Sequence, residues 1–414
     1  MISFSSFRRG GAAAVVAMLC GGNAVAQPAP TLREALDTAW KLAESQRSLP
    51  QRLAELDARE RATNAWAAGP PSLLLAHRTD LLSGNLGLRE LEAEVAVPIW
   101  NARTRVASRA QIDADRALVE RQSSASKLKL AGELRELAAQ AALARAEQTL
   151  AARKLAEVAK LAQDVERRVT AGDVARVDAL QAQAAVQQAN ASLAQAQVAI
   201  SRLQNHWQAL TGMTTMADLA SDAAPPGGSL TITLEALKAD HPALTAAAAN
   251  TQAARSRLQL TEADRRDPME LSVGSTVSQG VFGASPETTL RIAVKIPLGG
   301  DIRNGARIAA ARAELDVAQA NDDAVTRQVG ADLAAAHAGL SAARASEDAL
   351  LARAKLSAEV QTLYAKSYRL GESDLPTRLR AENERFEADL ALGRSRIETQ
   401  RALSQLHQSL GWLP

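Results

Sequence analysis

The sequence predicts a mainly helical protein with a small β part, built as two tandem copies of one structural unit. Three observations predict this fold class: the composition, a set of motifs that recurs at one fixed offset, and the same change of hydrophobic period within each copy. Alanine, leucine, glutamine, glutamate and arginine are abundant, and these residues favour long helices that pack side by side. Each copy is therefore expected to contribute one β-hairpin and a pair of long antiparallel coiled-coil helices.

The composition argues against two classes of function. The 414 residues include 48 Lys+Arg and 46 Asp+Glu, and Arg8 and Arg9 lie in a predicted targeting segment, so the charges of the mature chain balance. Proteins that bind nucleic acid need a concentrated positive surface to displace counterions from phosphate, so no nucleic-acid partner is expected. Aromatic residues make up only 3% of the chain, fewer than a compact enzyme of this size usually packs into its core.

Residues 1–26 are typical of a cleaved secretory signal peptide. A positively charged start precedes a short apolar segment over residues 12–19, and Ala24-Val25-Ala26 forms a small-residue cleavage site, so cleavage is expected after Ala26. A buried N-terminal helix is one alternative. Lipid attachment at Cys20 is another, although the bulky Leu19 before it disfavours this. If the signal is cleaved, the mature chain has no cysteine and therefore no disulfide or thiolate chemistry.

One structural unit occurs twice in the chain. Pro98 recurs as Pro297, Gly172 as Gly371 and Gly212 as Gly411, and each recurrence lies 199 residues later. Such an offset, shared by three separated motifs, indicates an internal repeat. The predicted copies cover residues 27–213 and 231–414, with an inter-repeat linker over residues 214–230 that is rich in proline and glycine.

Each copy opens with a helical stretch and continues with a predicted β-hairpin. Residues 31–65 and 231–265 have helical periodicity, and prolines follow both stretches. Apolar and polar residues then alternate, most clearly where Glu90, Glu92 and Glu94 lie opposite apolar positions. In the second copy Arg291 and Lys295 take the polar face. The predicted strands cover residues 72–79, 89–98, 270–278 and 288–297, close to the 9 to 11 residues that a tilted strand needs to cross a bilayer.

Two very long helices complete each copy. The predicted bounds are 103–170 and 175–210 in the first copy, and 303–369 and 375–410 in the second. Residues 103–170 contain no proline, so at 1.5 Å per residue a helix of roughly 100 Å is possible. Apolar residues recur in steps of three and four, which requires a neighbouring helix. Gly172 and Gly371 lie at the turns, where glycine can adopt the positive φ that ends a helix.

These pieces, in this order and duplicated, resemble the TolC-type outer-membrane efflux protein family. The resemblance rests on the opening Leu32–Leu36, the strand ends 97–100 and 296–299, the helix turns 168–173 and 367–372, and the segment 241–244. It implies a homotrimer in which each protomer gives four strands to one 12-stranded β-barrel, continued by a periplasmic α-helical barrel. Four strands cannot close a barrel, and an open sheet edge cannot face lipid, so several chains must contribute.

The resemblance also implies a function. The chain is expected to be the outer-membrane channel of a tripartite efflux system, with a long periplasmic portion, a periplasmic adaptor (membrane fusion) protein and an inner-membrane efflux pump as partners. Residues 368–375 are similar to the heavy-metal (cobalt–zinc–cadmium) branch, which implies metal cations as cargo; small organic toxicants are the alternative. A periplasmic coiled-coil adaptor and a secreted helical scaffold remain rival interpretations.

The resemblance places one set of candidate residues at the helix turns. Gly172, Asp173, Gly371, Glu372 and Asp374 are expected at the periplasmic tips, where they would contact the adaptor. Asp178 is a candidate aperture acid, because a trimer would triplicate it and attract cations. Plain turn glycines and helix-capping acids are the alternative interpretation of these residues. Some relatives carry gate aspartates at the positions that Thr377 and Arg380 occupy here, so that gate is not expected.

A second set of candidate residues lies on the predicted strands. Glu90, Glu92, Glu94, Arg291 and Lys295 are expected to line the barrel lumen, because lumen and lipid faces alternate along a membrane strand. Ordinary charge pairing between these acids and bases is the favoured alternative to a role in passing cations. No catalytic residue, cofactor site or metal site is predicted, because the five histidines are scattered and no nucleophile elbow or phosphate loop occurs.

Overall fold

The computed structural model describes residues 30–225, 228–230, 232–298 and 301–414, with the side chains of residues 301–303 left aside. The predicted signal peptide, its cleavage site and Cys20 lie outside these ranges, as do part of the linker and the last residue of the 296–299 strand-end motif.

Eight α-helices, four strands and one 3₁₀ helix form the described chain. In order they are α1 (Leu32–Leu42), α2 (Glu44–Asn64), β1 (Ser72–Thr79), β2 (Arg89–Ile99), α3 (Ala102–Ala171), α4 (Arg176–Thr211), the 3₁₀ helix (Leu219–Ser221), α5 (Leu234–Leu237), α6 (Pro242–Ala263), β3 (Met269–Gln279), β4 (Glu287–Lys295), α7 (Asp301–Arg369) and α8 (Leu375–Ser409). The predicted fold class, mainly helical with a small β part and one hairpin per copy, is confirmed.

The helical stretch predicted at the start of each copy is interrupted in the structure. In the first copy, Ala43 is extended (φ −63°, ψ 137°) and separates α1, whose apolar face is buried, from the largely exposed α2. In the second copy, His241 is extended because it precedes Pro242, which disfavours helical backbone in the residue before it. The buried start of each copy is therefore a separate short helix.

The hairpins of the two copies join into one antiparallel sheet with the strand order β1-β2-β3-β4. The central pair crosses between the copies, with Val95 opposite Val273 and Ala93 opposite Ser275. β1 and β4 are the edge strands of this sheet. One sheet face is mostly apolar, and the other carries the three glutamates of β2 and the charged residues of β4.

The two longest helices, α3 and α7, run the length of the helical layer. α3 has 70 residues, so it extends about 105 Å at 1.5 Å per residue. In the half next to the sheet, α2 and α6 pack against α3, and α6 also packs against α7. In the other half α4 packs against α3, and α8 lies between α3 and α7. Among the described residues, none of the helices combines the length and the apolar character that a membrane span requires.

Each copy has its own hydrophobic core near the middle of the layer, which we call the equator. Leu134 and Trp207 are fully buried in the first core, and Leu333 and Leu406 are buried in the second. These positions differ by the same 199 residues, so the internal repeat reproduces the core positions as well as the motifs.

Candidate functional sites

The two helix turns, which we call the tips, are built in the same way. At the first tip, Gly172 has φ +83°, its N–H donates to the carbonyl of Val169 (3.0 Å), and the N–H of Asp173 donates to Arg168 (2.9 Å). The second tip repeats this pattern around Gly371, which has φ +77°. Both are Schellman caps, which need a residue in the left-handed region. A Cβ on either glycine would meet open space, so backbone conformation alone requires glycine here.

A small core joins the tips of the two copies. Its centre is Tyr368 of α7, whose ring lies between two guanidinium groups, Arg168 of α3 at 5.1 Å and Arg378 of α8 at 5.0 Å from the ring centroid. Tyr368 is only 5% exposed, and apolar residues of the other three tip helices, α3, α4 and α8, surround it. Burial raises the pKa of Tyr368, an effect that the two arginines partly oppose. The aromatic ring therefore connects the hairpin of one copy to that of the other.

Buried polar atoms without a partner concentrate at the second tip. Within the described part of the chain, five buried side-chain atoms lack a hydrogen-bond partner, and four belong to this tip: the Tyr368 hydroxyl, Ser373 Oγ, Arg378 Nε and Glu382 Oε2. Tyr368 and Glu382 are both more than nine-tenths buried. Because an unsatisfied buried polar group is costly, these atoms are expected to bind water or a neighbouring molecule.

The acids predicted near the aperture occupy three different environments. Asp374 is the N-cap of α8, its carboxylate accepts from the N–H of Thr377 (3.0 Å), and hydrogen bonds from Thr377 lower its pKa. Asp173 and Glu372 are exposed beside the tip glycines. Asp178 is half-buried in the first turn of α4, close enough for its charge to act on Tyr368. The helix-capping interpretation therefore accounts for the position of Asp374.

The charged residues predicted on the strands do share one face of the sheet. Arg291 binds Glu92 (3.0 Å) and lies 3.8 Å from Glu94. It reaches across β3 at Gly274, which lies between Glu94 and Arg291 in the register and has no side chain to block the contact.

Most of the remaining charges of this face are also paired, although Glu287 of β4 has no ion-pair partner among the described residues. Lys295 binds Glu270 (3.2 Å), and Glu90 lies 3.8 Å from Arg78. In the described parts of the chain, no group of three or more His, Cys, Asp or Glu side chains is arranged to hold a metal ion.

Sequence reasoning missed the residues that organise the tip. Tyr368 and Arg168 lie within the quoted turn motifs but were assigned no role, and Arg378 and Glu382 were not identified. The chain has only two tyrosines, and one of them stands three residues before the second tip glycine. That position was the one available signal, since the arginines that flank the ring come from other helices.

No protein-family model and no curated protein matches the chain. Solved structures do match its fold over nearly its full length. CusC, a protein studied for transmembrane channel formation, matches with a TM-score of 0.73 at 18% identity, covering 92% of each chain. The Campylobacter jejuni CmeC outer membrane channel matches with a TM-score of 0.72 at 13% identity, covering 92% of this chain and 85% of that one. The outer membrane protein VceC of Vibrio cholerae has a TM-score of 0.71 at 17% identity, with coverages of 92% and 96%. At these identities the matches show a shared fold.

Proposed function

We propose that the chain is the outer-membrane channel of a tripartite efflux system and works as a homotrimer. In this proposal a periplasmic adaptor and an inner-membrane pump deliver the substrate to the tips, and the channel conducts it passively to the exterior. The observation that carries the proposal is a four-stranded sheet with two open edges, continuous with a helical layer roughly 100 Å long. Solved structures of the same fold include proteins described as outer membrane channels.

The sheet supports the closure of a barrel by several chains. Leu73 and Leu75 on β1, and Leu290, Ile292 and Val294 on β4, are all more than half exposed on one sheet face. An exposed apolar face suits lipid, but unpaired backbone groups at the edges of β1 and β4 cannot face lipid. If β4 of each chain pairs with β1 of the next chain, three chains close a barrel of twelve strands. Twelve is an even number, as in bacterial outer-membrane barrels.

The helical layer supports the same closure. α4 and α7 are the outer helices of the half that ends at the tips, and both expose apolar residues. Val177 and Leu180 of α4 are 54% and 57% exposed, and Leu356 and Leu363 of α7 are 63% and 66% exposed. Large exposed apolar side chains on helix faces favour burial against a partner. A ring of identical chains would bring α7 of one chain against α4 of the next.

The cargo proposed within this function is heavy-metal cations, which rests on the resemblance of residues 368–375 to the metal-efflux branch. The polar sheet face would line the lumen, and its five acids and three bases give a net charge of −2 per chain, which favours cations over anions without distinguishing one cation from another. We assign selectivity to the pump and adaptor. Small organic toxicants are the second candidate cargo, since a water-filled duct can conduct them equally well.

The first test is envelope fractionation followed by electrophoresis of unheated and heated samples. The proposal predicts an outer-membrane protein that runs near three times the mass of one chain without heating and near the monomer mass after heating. A soluble or inner-membrane protein of monomer or dimer size would contradict the channel and favour a periplasmic coiled-coil adaptor. Release into the medium would favour a secreted scaffold.

The tips and the cargo are tested in a deletion strain. Restoring the wild-type gene should raise tolerance to zinc, cobalt or cadmium, whereas a gain limited to organic toxicants would assign the second cargo. Gly172→Trp with Gly371→Trp should reduce tolerance while the outer membrane retains normal amounts of trimer. Full tolerance with this double variant would contradict the assignment of the tips as the docking site.

A further inference from the structure

A buried polar cluster, which we call the node, joins the two copies at the equator. Arg135 of α3 donates two hydrogen bonds to Asp222, from Nε and Nη2, both 3.0 Å long. Its Nη1 donates to Gln408 Oε1 (2.7 Å) and to the carbonyl of Trp412 (2.9 Å). His407 completes the node, with Nδ1 3.3 Å from Asp222 Oδ2. The side chains of Arg135 and Asp222 are 4% and 1% exposed.

The node is an addition to the duplicated plan. The position equivalent to Arg135 in the second copy is Ala334, and the position equivalent to His407 in the first copy is Gln208. Arg135 belongs to the first copy, Asp222 follows it in the connecting segment, and the other members lie at the end of the second copy. The node therefore joins three parts of the chain that the internal repeat does not bring together.

Stability alone does not explain such a cluster. A buried ion pair is often no more stabilising than apolar residues of similar volume, because both charges lose their hydration. A bidentate Arg–carboxylate pair adds a geometric constraint. The planar guanidinium can donate both hydrogen bonds to the carboxylate in only one orientation. Buried polar residues of this kind are best known for fixing the register of packed helices.

The seam between α3 and α8 needs such a register signal. It carries a ladder of partly exposed ion pairs: Arg401–Glu136 (2.9 Å), Arg394–Glu147 (2.7 Å) and Arg385–Glu157 (3.7 Å). Exposed pairs of this type contribute little and can exchange partners.

Part of the ladder can be satisfied in a second register. If α8 moved along α3 by seven residues, about two helical turns or roughly 11 Å, two arginines would reach the next acid. Arg394 would take the place of Arg401 opposite Glu136, and Arg378 would take the place of Arg385 opposite Glu157. Seven residues is close to two full turns, so both arginines would keep their helix face, whereas Arg385 lies nine residues from Arg394 and would not face Glu147. The ladder therefore distinguishes the two registers only weakly, whereas the node can form in one register only.

We propose that the node of Arg135, Asp222 and His407 is a positioning device that sets the register of α8 against α3. The register places the two tips at matching heights. In the shifted register Gly371 would be displaced from Gly172 by about two turns. The consequence for adaptor docking rests on the proposed function; the register itself does not.

Thiol crosslinking of the full-length protein in detergent tests the proposal, after Cys20 is replaced by serine. Glu147→Cys with Arg394→Cys reports the observed register, and Glu136→Cys with Arg394→Cys reports the shifted one, each treated with a short bifunctional thiol reagent. With the node intact, only the first pair should crosslink. In Arg135→Met/Asp222→Leu, the crosslinked fraction of the second pair should rise about tenfold, which corresponds to roughly 1.4 kcal/mol.

Two further variants keep the test decisive. Arg135→Lys preserves the positive charge, so Asp222 keeps a counter-charge, but it removes the planar guanidinium. Crosslinking of the 136/394 pair should therefore rise as it does in Arg135→Met/Asp222→Leu. Glu157→Gln/Arg385→Gln removes an exposed pair of the same chemistry and should leave only the observed register. Circular dichroism verifies that each variant retains its helices.

Three results would overturn the proposal. The first is crosslinking of the 147/394 pair alone in both node variants. The second is an equal rise of the 136/394 pair in the Glu157/Arg385 control or in Tyr368→Ala, because the ladder or the tip core would then set the register. The third is loss of helical content in both node variants, because the node would then be required for folding itself. None of these readouts depends on transport, so they separate this proposal from the proposed function.

Discussion

The equator and the tips of the helical layer satisfy their buried polar groups differently. In the node, Arg135 donates four hydrogen bonds and Asp222 receives partners from two parts of the chain. At the second tip, the Tyr368 hydroxyl and Glu382 Oε2 have no partner among the described residues. The node is thus completed within one chain, although Trp207 Nε1 in the same region lacks a partner among the described residues, whereas the tip retains four unsatisfied atoms that a neighbouring molecule or water can satisfy.

The largest expected effect comes from breaking the equator. Asp222→Ala leaves the Arg135 guanidinium buried without a counter-charge, so the free energy of unfolding should fall by about 3–5 kcal/mol. Asp374→Ala removes only the N-cap of α8 at the tip and should cost about 1 kcal/mol. Chemical denaturation of both variants provides the measurement. Equal losses would remove the distinction between the two regions.

Two glycines with the same backbone conformation sharpen the comparison. Gly411 at the equator has φ +78° and Gly371 at the tip has φ +77°. A left-handed alanine costs about 1–2 kcal/mol at either site. At Gly411 the new Cβ would also lie 2.7 Å from His241 Cδ2, whereas at Gly371 it would meet nothing. Gly411→Ala should therefore cost about 1–3 kcal/mol more than Gly371→Ala, as measured by denaturant midpoints; a smaller loss at Gly411 would contradict the packing described there.

Acid should weaken the equator in two steps. Burial lowers the pKa of His241 below its ordinary 6.5, so the unfolded chain binds a proton more readily than the folded one. The stability due to neutral His241 is complete above pH 6.5 and is lost as the pH falls below it. The pKa of Asp222 is lowered to about 2. Burial alone would raise this pKa, but the hydrogen bonds from His407 and Arg135 outweigh burial and lower it. The stability that ionised Asp222 contributes is complete above its ordinary pKa of 3.8 and is lost as the pH falls towards 2.

His241→Asn isolates the first step of this acid response. Asparagine can replace His241 Nδ1 as the N-cap of α6 but does not titrate. The melting temperature of the variant should fall less than that of the wild type between pH 7 and pH 5. The same fall in both proteins would assign the acid sensitivity to other groups.

The smallest expected effect on stability is at the tip. Tyr368→Phe removes a hydroxyl that has no hydrogen-bond partner in the described chain, so stability should change by less than about 1 kcal/mol. If the hydroxyl is used only in the assembled complex, metal tolerance should fall even though stability does not. A large loss of stability would show instead that the hydroxyl has a partner within one chain.

Much of the fold was predictable because its signals are local in sequence. Alternation around Glu92 predicts a strand, proline-free residues after Asn101 predict a long helix, and Gly172 predicts a turn. The interruption at Ala43 was not predictable, because no proline or glycine marks it and the break follows from burying the apolar face of α1. The charged strand face was predictable by residue, but its pairing through Gly274 required the register.

The sequence by itself determined that one unit occurs twice, that each unit carries a hairpin and two long helices, and where the tips lie. Only the tertiary structure decided that Arg135 meets Asp222 and Trp412, which lie 87 and 277 residues further along the chain, and that two arginines enclose Tyr368. The physical reason is that hydrophobic period and turn chemistry act over a few residues. The partner of a buried charge, by contrast, depends on which helices become neighbours and in which register.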